Sequence, residues 1–154
     1  MKTVIILSGI PCSGKSTLAN QLTNSSNILS RDAIREELFG ENYIHNKHDE
    51  EIVTNRFYDQ LHYLLTNNKY LPVIIDNTNC KELYIYQLIS YINTIDKFII
   101  IIKKLDIPLW KALYRNISRY FKTGKYIPYN VMKNMYKNYK SINWKKYEQY
   151  MVHK

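Results

Sequence analysis

The sequence is poor in residues that bend or cross-link a chain. Four glycines and four prolines in 154 residues leave no flexible linker and exclude a collagen-like or low-complexity segment. Two cysteines, Cys12 and Cys80, make no disulfide framework, which fits a reducing compartment. Apolar runs are short. Residues 4–7 and 98–102 are the most continuous, far below the roughly 20 needed to span a bilayer and too short for a signal peptide. A soluble cytoplasmic protein without membrane attachment is expected. Hydrophobic residues still make up 45% of the chain, enough for one packed core, and residues 1–154 are read as a single domain.

Two other scarcities concern charge. Residues 97–154 contain 2 Asp/Glu against 14 Lys/Arg, a net of +12, whereas residues 1–96 carry 11 against 8, a net of −3. The imbalance points to an anionic partner for the C-terminal part. The 17 lysines and 15 tyrosines belong to an Ile/Lys/Asn/Tyr bias that A/T-rich codons also produce. Arginine is the more informative cation, because there are only five: Arg31, Arg35, Arg56, Arg115 and Arg119.

Short β-branched runs at residues 3–8, 72–76 and 97–102, with a weaker one at 27–30, read as strands buried on both faces. Helical periodicity fills the intervals at 16–23, 32–39, 49–66 and 81–95, and again at 108–122 and 128–140, each of the last two opened by a proline. This alternation predicts an α/β fold, an open parallel sheet of four to five strands flanked by helices. The last two helices would form a lid over about residues 108–140, joined by a flexible turn at Gly124. Residues 143–154 remain an unassigned tail.

Gly9-Ile10-Pro11-Cys12-Ser13-Gly14-Lys15-Ser16 matches G-x-x-x-x-G-K-[ST] and sits between a strand and a helix, as a phosphate-binding P-loop requires. The glycines would let backbone N–H groups turn inward to hold phosphate oxygens, and the helix N-terminus would add its positive dipole end. The residues assigned to the nucleotide are Gly9, Pro11, Cys12, Ser13, Gly14, Lys15, Ser16 and Thr17. Lys15 would reach the β/γ-phosphates and Ser16 would hold Mg²⁺. The donor would be ATP or another NTP. Cys12 reads either as a loop filler or as a thiol near a helix N-terminus.

Three further groups gather at predicted strand ends, where open parallel sheets place their ligand crevice. Asp32 would accept or orient a proton from an attacking hydroxyl, and Arg35, three residues on, would grip a phosphate of the acceptor. The alternative is a helix cap and a local ion pair. Asp76 closes the third strand in Walker-B fashion and would hold a Mg²⁺-bound water, with Asn77, Thr78 and Asn79 around the phosphates; a capped turn is the alternative. In the penultimate helix Leu109, Leu113, Ile117 and Tyr120 fall within an arc of about 80° at 100° per residue. Arg115 and Arg119 project from the opposite side, either as a solvated basic face or over nucleotide phosphates.

In combination, Gly9–Thr17, Arg31-Asp32 with Arg35, Asp76-Asn77-Thr78-Asn79 and Arg115-Asn116 with Arg119 resemble the polynucleotide 5′-kinase family over roughly residues 1–140. The resemblance implies ATP-dependent phosphorylation of a 5′-hydroxyl end. Lys15, Asp32 and Arg119 would be catalytic, with Asp32 as the general base. Asp32, Arg35, Thr78 and Asn79 would bind the acceptor, Arg115 and Arg119 the ATP phosphates, and Ser16 and Asp76 the Mg²⁺. The partner would be DNA or RNA with a 5′-OH end, single-stranded at the site, in nucleic-acid repair alongside a ligase. Tyr43, His45 and Tyr126 are candidate stacking platforms. No Asp-x-Asp sequence of the phosphatase type occurs. A small-metabolite or nucleoside kinase, and a nucleic-acid-binding NTPase module, remain open as alternatives.

Overall fold

The computed structural model describes residues 2–151. Four parallel strands form its sheet: β1 (Thr3–Ser8), β2 (Ile28–Leu29), β3 (Val73–Ile75) and β4 (Ile99–Lys104), in the order β2-β3-β1-β4. Six helices surround it: α1 (Lys15–Leu22), α2 (Arg31–Phe39), α3 (Lys47–Thr66), α4 (Glu82–Ile95), α5 (Leu109–Thr123) and α6 (Tyr129–Lys140). The predicted parallel α/β sheet is therefore what the chain forms. No helix among the described residues is long and apolar enough to cross a membrane.

Alternation along β1 divides the interior in two. Val4 and Ile6 face the larger layer with Val73, Ile75, Ile100 and Ile102, against Phe57, Leu61 and Leu65 of α3, Ile85 and Ile92 of α4, and Met132 of α6. Ile5, Leu7 and Ile74 face the smaller layer, closed mainly by Ala19 and Leu18 of α1. Burial on both faces is why these strands read as continuous apolar runs.

Several boundaries differ from the predicted ones for identifiable reasons. β4 starts and ends two residues later than the apolar run, because pairing with β1 continues from Thr3↔Ile99 through Ser8↔Lys104. Backbone pairing there outlasts hydrophobicity. α3 begins at Lys47, two residues earlier than predicted, since the Asn46 side chain accepts the Asp49 N–H and caps the helix. Pro108 and Pro128 lie just before α5 and α6 rather than inside them, each accepting the first helical N–H bonds through its carbonyl.

The largest difference within α5 is its inward face. Ala112 and Asn116 are buried, Leu109 and Leu113 pack partly on the core, and Ile117 and Tyr120 stay about half exposed. Small Ala112 permits close approach. Buried Asn116 is satisfied by a two-way bridge to Ile127, donating to its carbonyl at 2.8 Å and accepting its N–H at 3.2 Å. That bridge ties α5 to the segment entering α6.

The tail is ordered over Trp144–Tyr150 as a 3₁₀ segment, with Tyr147 buried. Glu82 at the start of α4 accepts the Asn143 N–H and pairs with Lys146 at 3.4 Å, and Met151 makes a parallel bridge to Ile102 on the free side of β4. Residues 152–154 of the tail lie outside the described residues.

Phe57 is among the largest fully enclosed side chains. Phe57→Ala should lower unfolding free energy by about 3–5 kcal/mol, read as a lower urea midpoint at unchanged slope.

Candidate active site

All four strands point their C-terminal ends to one edge. The chain leaves β1 into the glycine-rich loop, β2 into α2, β3 into the Asp76 turn and β4 into Leu105. β3 and β4 flank β1 on opposite sides, so the crevice opens where strand order changes direction.

The loop's shape is set by two left-handed residues, Cys12 (φ 66°) and Gly14 (φ 97°). Gly9 is required by proximity: a Cβ there would lie 2.7 Å from Ser13 Oγ and 3.1 Å from the Leu105 carbonyl oxygen. Gly14 precedes α1 without any side-chain cap, leaving the first-turn amides open toward the loop. Lys15 is buried and donates to the Ile10 carbonyl at 2.9 Å. Burial pushes its ammonium below the usual lysine value, while neighbouring charges, Asp76 and Asp32 among them, act the other way.

Ser16 Oγ donates to Asp76 Oδ2 at 2.8 Å. This hydroxyl–carboxylate pair, separated by 60 residues in sequence, suits a hard divalent cation that keeps several waters and phosphate oxygens. Among the described residues no cluster of three or more His, Cys, Asp or Glu could hold a metal independently. Arg115 Nη1 donates to the Cys12 carbonyl at 3.2 Å. With Arg119, one helical turn on, it lines a cavity of about 610 Å³ floored by Cys12–Leu18. The two arginines thus share the loop's cavity, with the carbonyl of Cys12, not its thiol, as the contact.

The second group lies at the start of α2. Ser30 caps this helix through its side chain, accepting the Ala33 N–H, so Asp32 is not needed as the cap. Asp32 stands 91% exposed and accepts from Arg35 Nη1 at 2.6 Å. Arg35 is held from behind: Nε and Nη2 donate to the two oxygens of Glu50 at 2.8 and 2.9 Å. Glu50 also accepts from Arg31 Nη2 at 3.3 Å and Tyr43 OH at 2.9 Å, with His45 Nδ1 3.4 Å away. Hydrogen bonding from Arg35, with Tyr43 and Arg31 adding to it, holds the Glu50 carboxyl down at about 2.

Glu50 was not singled out by the sequence, where it sits in an acidic first turn beside Asp49 and Glu51. Nothing local marks it; only folding brings α3 against α2. Other candidate positions make bonds within the fold. Asn79 is buried, adopts φ 45°, and donates to the Leu7 carbonyl at 2.7 Å while its own carbonyl accepts from Ser8 Oγ at 2.8 Å. It braces β1 against the third turn, and its amide points into the fold. Thr78 accepts the Gly9 N–H through its carbonyl at 2.9 Å. Asn77 accepts the Arg31 N–H at 2.9 Å, stitching the Asp76 turn to α2. Tyr43 stacks on Phe39 at 5.0 Å besides its bond to Glu50, whereas Tyr126 is exposed and meets only the edge of Tyr120.

A glycine-rich loop between β1 and α1, with a lysine in its mouth and a serine–aspartate pair beside it, defines a P-loop domain of the nucleotide-binding kind. The chain belongs to the AAA_33 family, an AAA domain whose model matches residues 4–142. A chain of the Pnkp1/Rnl/Hen1 RNA repair complex superposes with a TM-score of 0.77 at 26% identity, covering 90% of this chain and 44% of that one. A further Pnkp1/Rnl/Hen1 complex gives 0.61 at 27%, covering 74% and 39%. This chain therefore spans less than half the length of either. Kti12 of Chaetomium thermophilum in complex with ADP-AlF3 matches at 0.68, covering 97% of this chain and 88% of that one. A gluconokinase from Sinorhizobium meliloti 1021 matches at 0.60, covering 98% and 81%. At 16% identity these last two share the fold. No curated protein sequence matches. The resemblance and the fold agree on a P-loop kinase architecture.

Because Glu50 sits well below the ordinary 4.5, its contribution to stability is complete above about pH 4.5 and is lost as pH falls toward 2. Urea unfolding followed between pH 6 and 2 should show that loss. Glu50→Gln should be less stable at neutral pH and show a shallower decline over the acid interval.

Proposed function

We propose that the chain is a polynucleotide 5′-hydroxyl kinase that moves the γ-phosphoryl group of ATP to a 5′-OH end of DNA or RNA. The observation that carries this reading is the Asp32–Arg35–Glu50 array at the C-terminal edge of the sheet, with the Asp32 charge acting on Lys15 of the P-loop. It pairs an exposed carboxylate with an arginine whose fork is fixed by a second carboxylate. A hydroxyl acceptor needs the first, and an acceptor that carries its own phosphate needs the second. A neutral sugar or nucleoside offers no anionic group to a pre-set guanidinium beside the base. Likeness to chains of the Pnkp1/Rnl/Hen1 RNA repair complex, Pnkp1 being a polynucleotide kinase, supports the same choice. It also motivates a role in nucleic-acid repair beside a ligase.

In this reading the amides of the loop and Lys15 hold the donor's phosphates, and Arg115 and Arg119 form the cationic wall of a lid made by α5 and α6. Ser16 and Asp76 would hold a Mg²⁺, which would supply charge neutralisation to the donor's phosphates. Asp32 takes the proton as the 5′-oxygen attacks phosphorus in line and ADP leaves. Arg35 holds the phosphate next to the attacked ribose. Glu50 is the positioning residue behind it, since its two oxygens fix the plane of the guanidinium. Thr78 and Asn79 act by shaping the turn beneath the phosphates.

Transfer from ATP to matched 5′-OH DNA and RNA oligonucleotides tests the proposal. Wild type should label at least one of them, with KM rising as salt is added. Asp32→Ala should cut kcat by about 10²–10⁴-fold. Arg35→Ala should chiefly raise KM for the oligonucleotide, by roughly ten- to a hundredfold for lost charge-assisted bonds. Transfer to a free nucleoside or sugar, with none to either oligonucleotide, would sink the reading.

A further inference from the structure

We infer that the outer face of α5 is a stacking platform for a single-stranded nucleic acid leaving the active site. This rests on the polynucleotide reading above and adds a surface to it, away from the reacting atoms.

At 100° per residue, Trp110, Tyr114, Ile117 and Phe121 fall within about 60° of one another. They form a stripe about 16 Å long at 1.5 Å per residue. They are 70%, 71%, 51% and 80% exposed. Four large apolar side chains on one face of a helix, open to water, mark an interaction surface and not scattered exposure. Arg115 and Arg119 occupy the other side and face the P-loop, so the stripe and the phosphate site are opposite faces of one helix.

Charge and chemistry select the occupant. Between residues 107 and 140 there are eight Lys/Arg and no Asp or Glu. Lys111 and Lys122 flank the stripe, are exposed, and make no ion pair among the described residues. A second copy docking through the same face would bring cations against cations. A polyanion is attracted instead, and three of the four stripe residues offer aromatic faces on which bases of any sequence can stack.

The stripe also leads to the right place. Its Phe121 end joins an edge-to-face cluster with Tyr120, at 5.8 Å, and Tyr120 meets Tyr126 at 5.9 Å. Next to Tyr126, Lys125 reaches across to Glu36 of α2 at 3.5 Å. Glu36 lies one helical turn from Asp32. A strand whose 5′ end is at Asp32 therefore emerges beside the α5–α6 turn, at the head of the stripe.

The test uses the full chain and a 5′-phosphorylated twelve-nucleotide strand, dT or rU, which has no acceptor hydroxyl at its 5′ end. Binding is read by fluorescence anisotropy and by quenching of tryptophan emission. Trp110 is the exposed one of the two tryptophans. Trp110→Ala with Phe121→Ala should weaken binding tenfold or more by anisotropy, with circular dichroism unchanged, and Phe121→Ala alone should reduce the quenching of Trp110. Trp110→Phe with Phe121→Tyr, which keeps both rings, should bind within about threefold of wild type. Equal affinity of wild type and the double alanine variant would overturn the platform. So would a wild-type chain that binds no strand but forms a dimer, or binds anionic vesicles, through these residues. Strand binding that depends on the two rings in a chain with no kinase activity would remove the kinase reading and leave the platform standing.

Discussion

Parallel pairing on both sides of β1 is the constraint on which everything else depends. Its six residues pair with β4 on one side, and three of them pair with β3 on the other. Because every strand runs the same way, the P-loop, the Asp76 turn and the start of α2 all emerge at one edge without any side chain having to specify it. The secondary contacts then refine that edge to hydrogen-bonding precision. Asn79 ties the β3 turn to β1, Asn77 ties it to α2, and Ser16 meets Asp76. Two of the three fastenings use asparagine, a short polar side chain that can satisfy backbone groups inside a turn and tolerate the left-handed conformation seen at Asn79.

The site is built from two halves with different electrostatic characters. The P-loop half presents amides, a buried lysine and two arginines, a set suited to nucleotide phosphates. The α2 half is internally compensated: Arg31 and Arg35 already face Glu50, and Arg35 also faces Asp32. A guanidinium clamped by two carboxylates keeps its plane fixed while some N–H capacity remains for an incoming phosphate. This is preorganisation of the kind that reduces the ordering cost of binding. The placing of four of the five arginines around this site makes sense in these terms, since lysine provides charge but no rigid fork.

Strands and helices were legible because burial on both sheet faces leaves short, unbroken β-branched runs, and because the P-loop pattern is fixed by backbone geometry. Legibility failed where tertiary pairing decides. Nothing in residues 103–104, both lysine, signals a strand, yet they complete the ladder to β1. On α5 the apolar periodicity pointed to Leu109, Leu113, Ile117 and Tyr120, but the helix turns Ala112 and Asn116 inward. A hydrophobic arc is informative about which face meets the core only when a helix has one such arc. This helix has a second, made of Trp110, Tyr114, Ile117 and Phe121, and periodicity cannot rank the two. Glu50 was invisible for another reason: its partners lie 7, 15 and 19 residues away, on separate elements.

The contact of Met151 with Ile102 bears on the outer border of the sheet. β4 is the outermost strand on its side, with six residues of which Ile99, Ile100, Ile101 and Ile102 are all isoleucine. An unguarded strand of that composition is a template for edge-to-edge growth. The C-terminal segment lies along this border and is pinned by Glu82 at the opposite end of its path. The bridge at Ile102 therefore interrupts, at one position, a border whose composition favours pairing with another strand.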